Sequence, residues 1–499
     1  RSPLRRPEPQ ILTTTADTSI SSKVTMPNTI LSSLSALWLG SLAILIFQTS
    51  VAAWSSFGLA SALLFLAVYD ALQTSDNIRR NFPLVGRLSR LMEEQKHVVQ
   101  ETLLLNRREG RPFDEVHKNI AHSRAKDELL SQPFGTDYDL YRDEIEYVYH
   151  SLFPRPSEVL ERDHLYVIGG QTCETPYTSS LVNVSGMSLG SISPEAVTAL
   201  AKGASRGRFA LNTGEGGYSK YHDEDSPDVI FQFGTGYFGC RTKEGRFCDD
   251  SFSEIMSKEN VRMAEVKINQ GAKPGYGALL PAKKNTREIA EIRDLEPGTE
   301  VHSPPHHREF RDPESLCRFL ARLRKNSHGK PIGVKFCLGR EAELQQLVEA
   351  FQKLGGPDYI AVDGAEGGTG AAHFEALHFT GMPLAQALRI THETLKSQGL
   401  RERIKILASG KLITAFDILR AIEAGADGIY MARGFMFALG CVQSLKCNKD
   451  TCPVGLTTMD PRRRKALVPS DKAVRVANFH RNTLRGVNQM LSACGLEDI

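Results

Sequence analysis

The sequence predicts an α/β protein, a (β/α)8 TIM barrel set behind an N-terminal transmembrane helical hairpin and a helical linker. Three observations predict it. From about residue 165, eight short β-prone runs alternate with helical stretches, the rhythm of a parallel α/β architecture. Polar or Gly-rich motifs follow nearly every run, as expected where a barrel gathers its function at the C-terminal ends of its strands. Ahead of this body, Val24 to Tyr69 contains no charged residue, which is room for two membrane-spanning helices of about 20 residues each. A doubly wound sheet would explain the alternation too, but not motifs after nearly every strand.

Composition sets the outer bounds. The 499 residues exceed what one barrel needs, and a hydrophobic content of 41% suffices for a sizeable core. A net charge of +3 gives no reason to expect a nucleic acid as partner. The nine cysteines are odd in number and spread along a long chain, so a secreted disulfide scaffold is excluded in favour of reduced thiols.

Taken in order, residues 1–27 are rich in Ser, Thr and Pro and read as disordered, or as a targeting extension in which Arg outnumbers acidic residues. Residues 28–73 form the hairpin, with helices near Ile30–Phe47 and Trp54–Leu72 joined by Gln48-Thr-Ser50. A signal peptide explains one apolar run, not two. Arg1, Arg5, Arg6 and Lys23 precede the hairpin, and Arg79, Arg80, Arg87 and Arg90 follow it. By the positive-inside tendency both ends face the cytoplasmic or an equivalent reducing side, placing the catalytic domain there on a two-helix anchor. Residues 74–165 read as polar linker helices. Leu88–Val99 has helical spacing of apolar residues, and His117 and His122 read as solvated.

Residues 166–499 form the barrel domain. Its strands are expected at Leu181–Ser185, Phe209–Asn212, Val229–Phe233, Met263–Ile268, Gly333–Phe336, Tyr359–Val362, Ile404–Ala408 and Gly428–Met431. After them come Ser188-Leu-Gly-Ser191, Asn212-Thr-Gly-Glu-Gly-Gly217, Lys267-Ile-Asn-Gln-Gly-Ala-Lys273, Asp363-Gly-Ala-Glu-Gly-Gly-Thr-Gly370, Ser409-Gly-Lys411 and Ala432-Arg-Gly434. A Gly-rich turn after an apolar strand is how such proteins approach a phosphate. Directly downstream, Cys441, Cys447 and Cys452 fall within twelve residues. Closely spaced thiolates hold iron–sulfur clusters. Zinc is the rival, but it usually takes four ligands and no fourth Cys or His is near in sequence. Together these features point to an electron-transfer enzyme with two redox centres.

Met187-Ser-Leu-Gly-Ser-Ile-Ser-Pro-Glu-Ala, Asn212-Thr-Gly-Glu-Gly-Gly, Gln270-Gly-Ala-Lys-Pro-Gly, Ser303-Pro-Pro-His-His307, Gly367-Gly-Thr-Gly-Ala and the three cysteines closely resemble the FMN-binding synthase domain of glutamate synthase, over roughly residues 175–490. The hairpin and Arg79-Arg-Asn-Phe-Pro-Leu-Val-Gly86 are similar to the membrane-attached, single-domain members that lack the glutaminase domain. The resemblance implies FMN at the barrel mouth and reductive amination of 2-oxoglutarate with ammonia, through 2-iminoglutarate, to L-glutamate. Such an enzyme is an oxidoreductase of the class acting on CH–NH2 donors.

The resemblance also implies roles for particular residues. Gly410 and Lys411, with Arg433 and Gly434, would cradle the FMN phosphate in the loops after the last two strands, where barrels commonly bind phosphate. Lys335 would lie against the flavin, since a lysine inside a barrel needs an anion. Gly190 and Ser191, and Gly368, Thr369 and Gly370, would approach the ring closely. Gln270 would hydrogen-bond flavin or substrate, Lys273 would bind a substrate carboxylate, and Glu215 would shuttle protons or orient ammonia. His306 and His307 are left to structural roles. Cys441, Cys447 and Cys452 would hold a 3Fe-4S cluster that relays electrons to FMN.

The chain departs from the family in four ways. It shows no glutaminase domain, so ammonia is expected free or from a partner. It shows no nicotinamide-binding glycine motif, so a ferredoxin, a flavoprotein subunit or a membrane quinone is expected to deliver electrons. The family's Gly-Glu-Gly-Gly after the substrate lysine reads Gly275-Tyr-Gly-Ala278, and Glu366 replaces the commoner Asp-Gly turn. Two other readings compete: another FMN barrel enzyme, forming N-methylglutamate or oxidising a hydroxy acid, and a non-catalytic membrane scaffold.

Overall fold

The computed structural model describes residues 26–73, 79, 81–87, 109–128, 131–136, 138–141, 146–155, 162–272, 277 and 279–499. The expected helix over Leu88–Val99 and residues 1–25 of the expected extension lie outside them. The chain divides into two compact units, Arg1–Leu104 and Leu105–Ile499.

The first unit is built on α1 (Met26–Phe47) and α2 (Val51–Leu72), both long and apolar enough to cross a membrane. The helices lie against each other, with Trp38 Nε1 donating to Ser61 Oγ at 2.9 Å and its ring 5.7 Å from Phe57. Leu37, Ile44, Ile46, Leu59 and Phe65 point outward, apolar side chains where a water-soluble bundle shows polar ones. Helix α2 starts three residues before the expected Trp54 because Ser50 caps it, its hydroxyl accepting the Ala53 N–H at 3.2 Å. At the other end Asp70, fully buried, accepts from Arg79 and Arg87, both at 2.7 Å.

The second unit holds a closed barrel of eight parallel strands. They are β1 (Val182–Val184), β2 (Leu211–Asn212), β3 (Val229–Phe233), β4 (Val261–Lys267), β5 (Ile332–Phe336), β6 (Tyr359–Asp363), β7 (Lys405–Ser409) and β8 (Gly428–Met431). All eight expected runs are strands, each pairing with its neighbours in sequence, and β8 closes on β1. Strands β3, β5, β6 and β8 are buried at every position, as parallel strands covered on both faces must be.

Capping residues start the helices that follow. Helix α3 (Glu115–Lys126) precedes the barrel and is capped by Asp114. Ser193 and Pro194 open α4 (Pro194–Gly207) after β1, and α5 (Asp249–Ser257) follows β3. Between β4 and β5 come α6 (Arg287–Arg293), capped by Thr286, and α7 (Pro313–Lys325), capped by Asp312. Helix α8 (Glu341–Leu354) follows β5, α9 (Leu384–Ser397) follows β6, and α10 (Ala415–Glu423), capped by Thr414, follows β7. The short α11 (Arg433–Ala438) follows β8, and α12 (Pro469–Cys494) ends the chain, packed on α4 and α3.

Inside the barrel, Ile230, Met263, Tyr359, Leu407 and Tyr430 pack on Ile168 and Tyr177. The last two come from an antiparallel pair, Leu165–Ile168 and Tyr177–Ser180, so this hairpin fills the N-terminal end of the barrel. The C-terminal end is left to the loops that carry the motifs. His122 is not solvated as expected: it packs against Phe437 at 5.9 Å, and burial lowers its pKa.

Burial holds His480 down to about 3, and His222 and His307 down to about 4. Unfolded, these rings protonate near 6.5. Below that pH the unfolded chain binds more protons, so stability present above pH 6.5 is lost as pH falls toward 4. The melting midpoint should therefore drop steadily across this window, and His480→Gln should flatten the slope. A flat profile for the wild-type chain would mean that the three rings are solvated.

Candidate active site

The site rests on a carboxylate inside the barrel. Glu265 on β4 is fully buried, with no cation paired to it among the described residues. Asn212 Nδ2 on β2 and the Gln232 amide on β3 donate to its Oε1, and the Tyr430 hydroxyl on β8 donates to Oε2 at 3.1 Å. Asn212 Oδ1 in turn accepts the Gly214 N–H at 2.9 Å, fixing the turn that carries Glu215.

Register places four more side chains around the mouth. Lys267 pairs with Lys335, and Asp363 with Ser409. Lys267 forms an ion pair with Glu215 at 2.8 Å. Lys335, nearly fully buried, has its ammonium 3.9 Å from Asp363 and 6.0 Å from the Tyr430 ring. Asp363 accepts from Ser409 Oγ at 2.7 Å and from the Gly271 N–H at 2.8 Å. This last bond draws the loop after β4 so close that a methyl group on Gly271 would lie 1.8 Å from the carbonyl oxygen of Gly364. Gln270 sits half-buried just before this contact, and Lys273 lies outside the described residues.

Two groups of cations flank this centre. In the first, Arg433 and Lys411 surround the Phe113 ring, their charged groups 4.8 and 5.9 Å from its centroid. Arg433 also donates to the Glu366 carbonyl at 3.1 Å and lies so close to Gly368 that a Cβ there would sit 2.8 Å from its guanidinium. Burial pushes Arg433 down to about 10, and burial together with Arg433 lowers Lys411. Asp363 and Glu366 act on Arg433 through space, but neither cation forms an ion pair with a carboxylate among the described residues, which leaves the pair able to take an external anion. Gly410 lies beside Lys411, while Gly434 packs against Phe479.

The second group lines a cavity of about 70 Å³ with Gly190, Ser191, Glu215, Thr369 and Gly370. Its cations are Lys284 and Arg293, which the sequence reading did not find. Burial pushes Lys284 down to about 8 and Arg293 to about 10, with Glu215 opposing the latter shift. Arg293 donates to the Leu189 carbonyl at 2.6 Å, and Lys284 to the carbonyls of Ser191 and Cys447, both at 3.1 Å. Arg293 was detectable in principle, since it shares one face of α6 with the buried Ile289 and Ala290. Nothing in the sequence distinguishes the buried Lys284 from the exposed Lys283 beside it.

Cys447 also lines this cavity. Burial pushes Cys441 up to about 12, with Cys447 and Cys452 adding to the shift, and raises Cys447 as well. The three thiols thus lie within electrostatic reach of one another. No group of His, Cys, Asp and Glu among the described residues is gathered for a single metal ion. Three cysteines of one loop, Cys452 buried and Cys441 and Cys447 partly so, with the buried Lys284 bonded to the Cys447 carbonyl, fit the chemistry of an anionic cluster, whose iron would remove the thiol protons.

The conserved region of glutamate synthase matches residues 135–497. The glutamate synthase large subunit-like protein YerD of Bacillus subtilis is 35% identical over 478 residues, 87% of this chain and 90% of that protein. The archaeal-type NADPH glutamate synthase of Thermotoga neapolitana is 32% identical, over 64% of this chain and 60% of its own length. The chloroplastic ferredoxin-dependent glutamate synthase of Spinacia oleracea is 32% identical, over 63% of this chain and 20% of its own length. The matched stretch takes in the barrel, both cation groups and the cysteine loop, and on that ground the chain belongs to the glutamate synthase family.

Proposed function

We propose that the protein is an FMN-dependent oxidoreductase of glutamate synthase type, converting 2-oxoglutarate and ammonia to L-glutamate with electrons relayed through a 3Fe-4S cluster. The observation that carries this reading is two separate groups of cations at one barrel mouth, none of them ion-paired to a carboxylate among the described residues. Arg433 and Lys411 form one, Lys284 and Arg293 the other, and Lys335 is buried beside Asp363. A flavin phosphate and a dicarboxylate substrate need two such groups.

FMN, when bound, supplies the hydride. Lys411, Arg433 and the backbone at Gly368 and Gly410 hold its phosphate. Lys335 brings positive charge to the barrel axis, and Asp363 keeps that charge in place. Gly190, Ser191, Thr369 and Gly370 shape the approach to the cavity, and Gln270, in the loop after β4, hydrogen-bonds flavin or substrate. Arg293 and Lys284, joined by Lys273, bind the two carboxylates and orient the keto carbon. Glu215, held by Lys267, removes a proton from ammonium and returns it to the oxygen that leaves as water when the imine forms. Cys441, Cys447 and Cys452 hold the cluster, and Lys284 links its loop to Ser191 at the mouth. Electrons enter from an external donor of the ferredoxin, flavoprotein or quinone kind, and the α1–α2 hairpin anchors the chain in a membrane, catalytic body on the reducing side.

Four outcomes are expected. Chemically reduced protein mixed anaerobically with 2-oxoglutarate and ammonium should reoxidise its flavin rapidly and form L-glutamate. Flavin that stays reduced, or reoxidises only with another keto acid, would reassign the substrate. Arg293→Met should raise KM for 2-oxoglutarate at least about tenfold, as loss of a charged hydrogen bond does, with flavin content unchanged. Cys452→Ser should lose iron and acid-labile sulfide while retaining flavin. The full chain should also resist extraction of membranes by alkaline carbonate and come off with detergent. Release by carbonate would remove the anchor from this reading.

A further inference from the structure

The chain ahead of the barrel enters the phosphate site. Phe113 lies before residues 135–497, which carry the family match, and is only 4% exposed. Its ring faces both cations of the site, and Phe437 meets it edge-on at 5.5 Å. Its backbone is held at both polar groups by one carboxamide: Gln443 Oε1 accepts the Phe113 N–H at 3.0 Å, and Gln443 Nε2 donates to the Phe113 carbonyl at 2.9 Å. Gln443 stands two residues after Cys441, in the cysteine loop.

Helix α3 keeps this arrangement in place. Arg124 donates to the Ile413 carbonyl at 3.2 Å, two residues beyond Lys411, and to Thr483 Oγ1 at 3.3 Å. Asn482 Nδ2 returns a bond to the Arg124 carbonyl at 2.9 Å. The segment therefore touches the loops after β7 and β8, the two that carry Lys411 and Arg433.

We infer that Phe113 is a positioning residue of the phosphate site, its ring holding Arg433 and Lys411 in place while Gln443 latches it to the cysteine loop. This rests on the flavin reading above. A long cationic side chain without a carboxylate partner relaxes toward solvent when nothing holds it, and an aromatic face fixes it without neutralising its charge. An acidic residue would hold the cations equally well but would cancel the charge that a phosphate needs. The ring should accordingly matter to the phosphate end of the cofactor and not to its isoalloxazine end.

The test compares FMN with riboflavin, which lacks the phosphate, by fluorescence titration of flavin-free full-length protein. Wild type should bind FMN more tightly than riboflavin. Phe113→Leu fills the space without a π face, and Phe113→Ala empties it. Both should weaken FMN about tenfold and leave riboflavin unchanged, Phe113→Trp should restore FMN binding, and Gln443→Leu should share the FMN-specific loss. If Phe113→Leu binds FMN as wild type does, or loses FMN and riboflavin alike, the role falls. An unaltered Gln443→Leu would remove the latch. Wild type that does not prefer FMN would instead bring down the flavin reading itself.

Discussion

A carboxylate buried at the axis of a closed barrel has to be satisfied from several strands at once, because no single strand can bring enough donors to it. Glu265 is in that position. Its donors come from β2, β3 and β8, so four of the eight strands converge on one charge. The same Asn212 that donates to it accepts the Gly214 N–H, and thereby sets the turn bearing Glu215. The Tyr430 hydroxyl that donates to it belongs to the ring lying under the Lys335 ammonium. The interior charge and the mouth are one hydrogen-bonded construction, and the geometry above it follows from satisfying Glu265.

Over this base the cations are divided by partner. Lys267 and Lys335 are neighbours in register, yet each has its own carboxylate, Glu215 and Asp363. Arg433, Lys411, Lys284 and Arg293 are instead held by carbonyls, an aromatic ring and a backbone approach, which fix position without removing charge. That distinction separates the cations paired inside the site from those whose charge is left uncompensated by an ion pair among the described residues. Lys284 adds a further link, since its donations to Ser191 and Cys447 tie the first loop of the barrel to the cysteine loop.

Strands and their order were legible in the sequence because each is a short apolar run bounded by turn residues, and sequential pairing is what a parallel barrel imposes. The loops after β1, β2, β6, β7 and β8 were legible for a related reason: glycines mark where backbone comes close to something. What stayed hidden was contact across the chain. Phe113 reads as an ordinary aromatic in a polar stretch, and its partners lie some three hundred residues away, Gln443 being 330 residues distant. Lys284 is hidden because Lys283 beside it has the same chemistry and the opposite exposure. His122 read as solvated because its own neighbours are polar, while the Phe437 that covers it comes from α11. Local pattern specifies elements, and burial by distant elements overrides it.

The contact between Gly271 and Gly364 bears on how such a site can diverge. With 1.8 Å between a would-be methyl group and a carbonyl oxygen, any side chain at 271 forces the loops after β4 and β6 apart and disturbs the Asp363 bond they share. A few residues on, the same loop carries Tyr276 and Ala278 where the family pattern has Glu and Gly. The start of this loop is therefore fixed by sterics at Gly271, where the two loops meet. Any change in what the barrel mouth accepts has to leave glycine at 271, because the bond from its N–H to Asp363 goes with it.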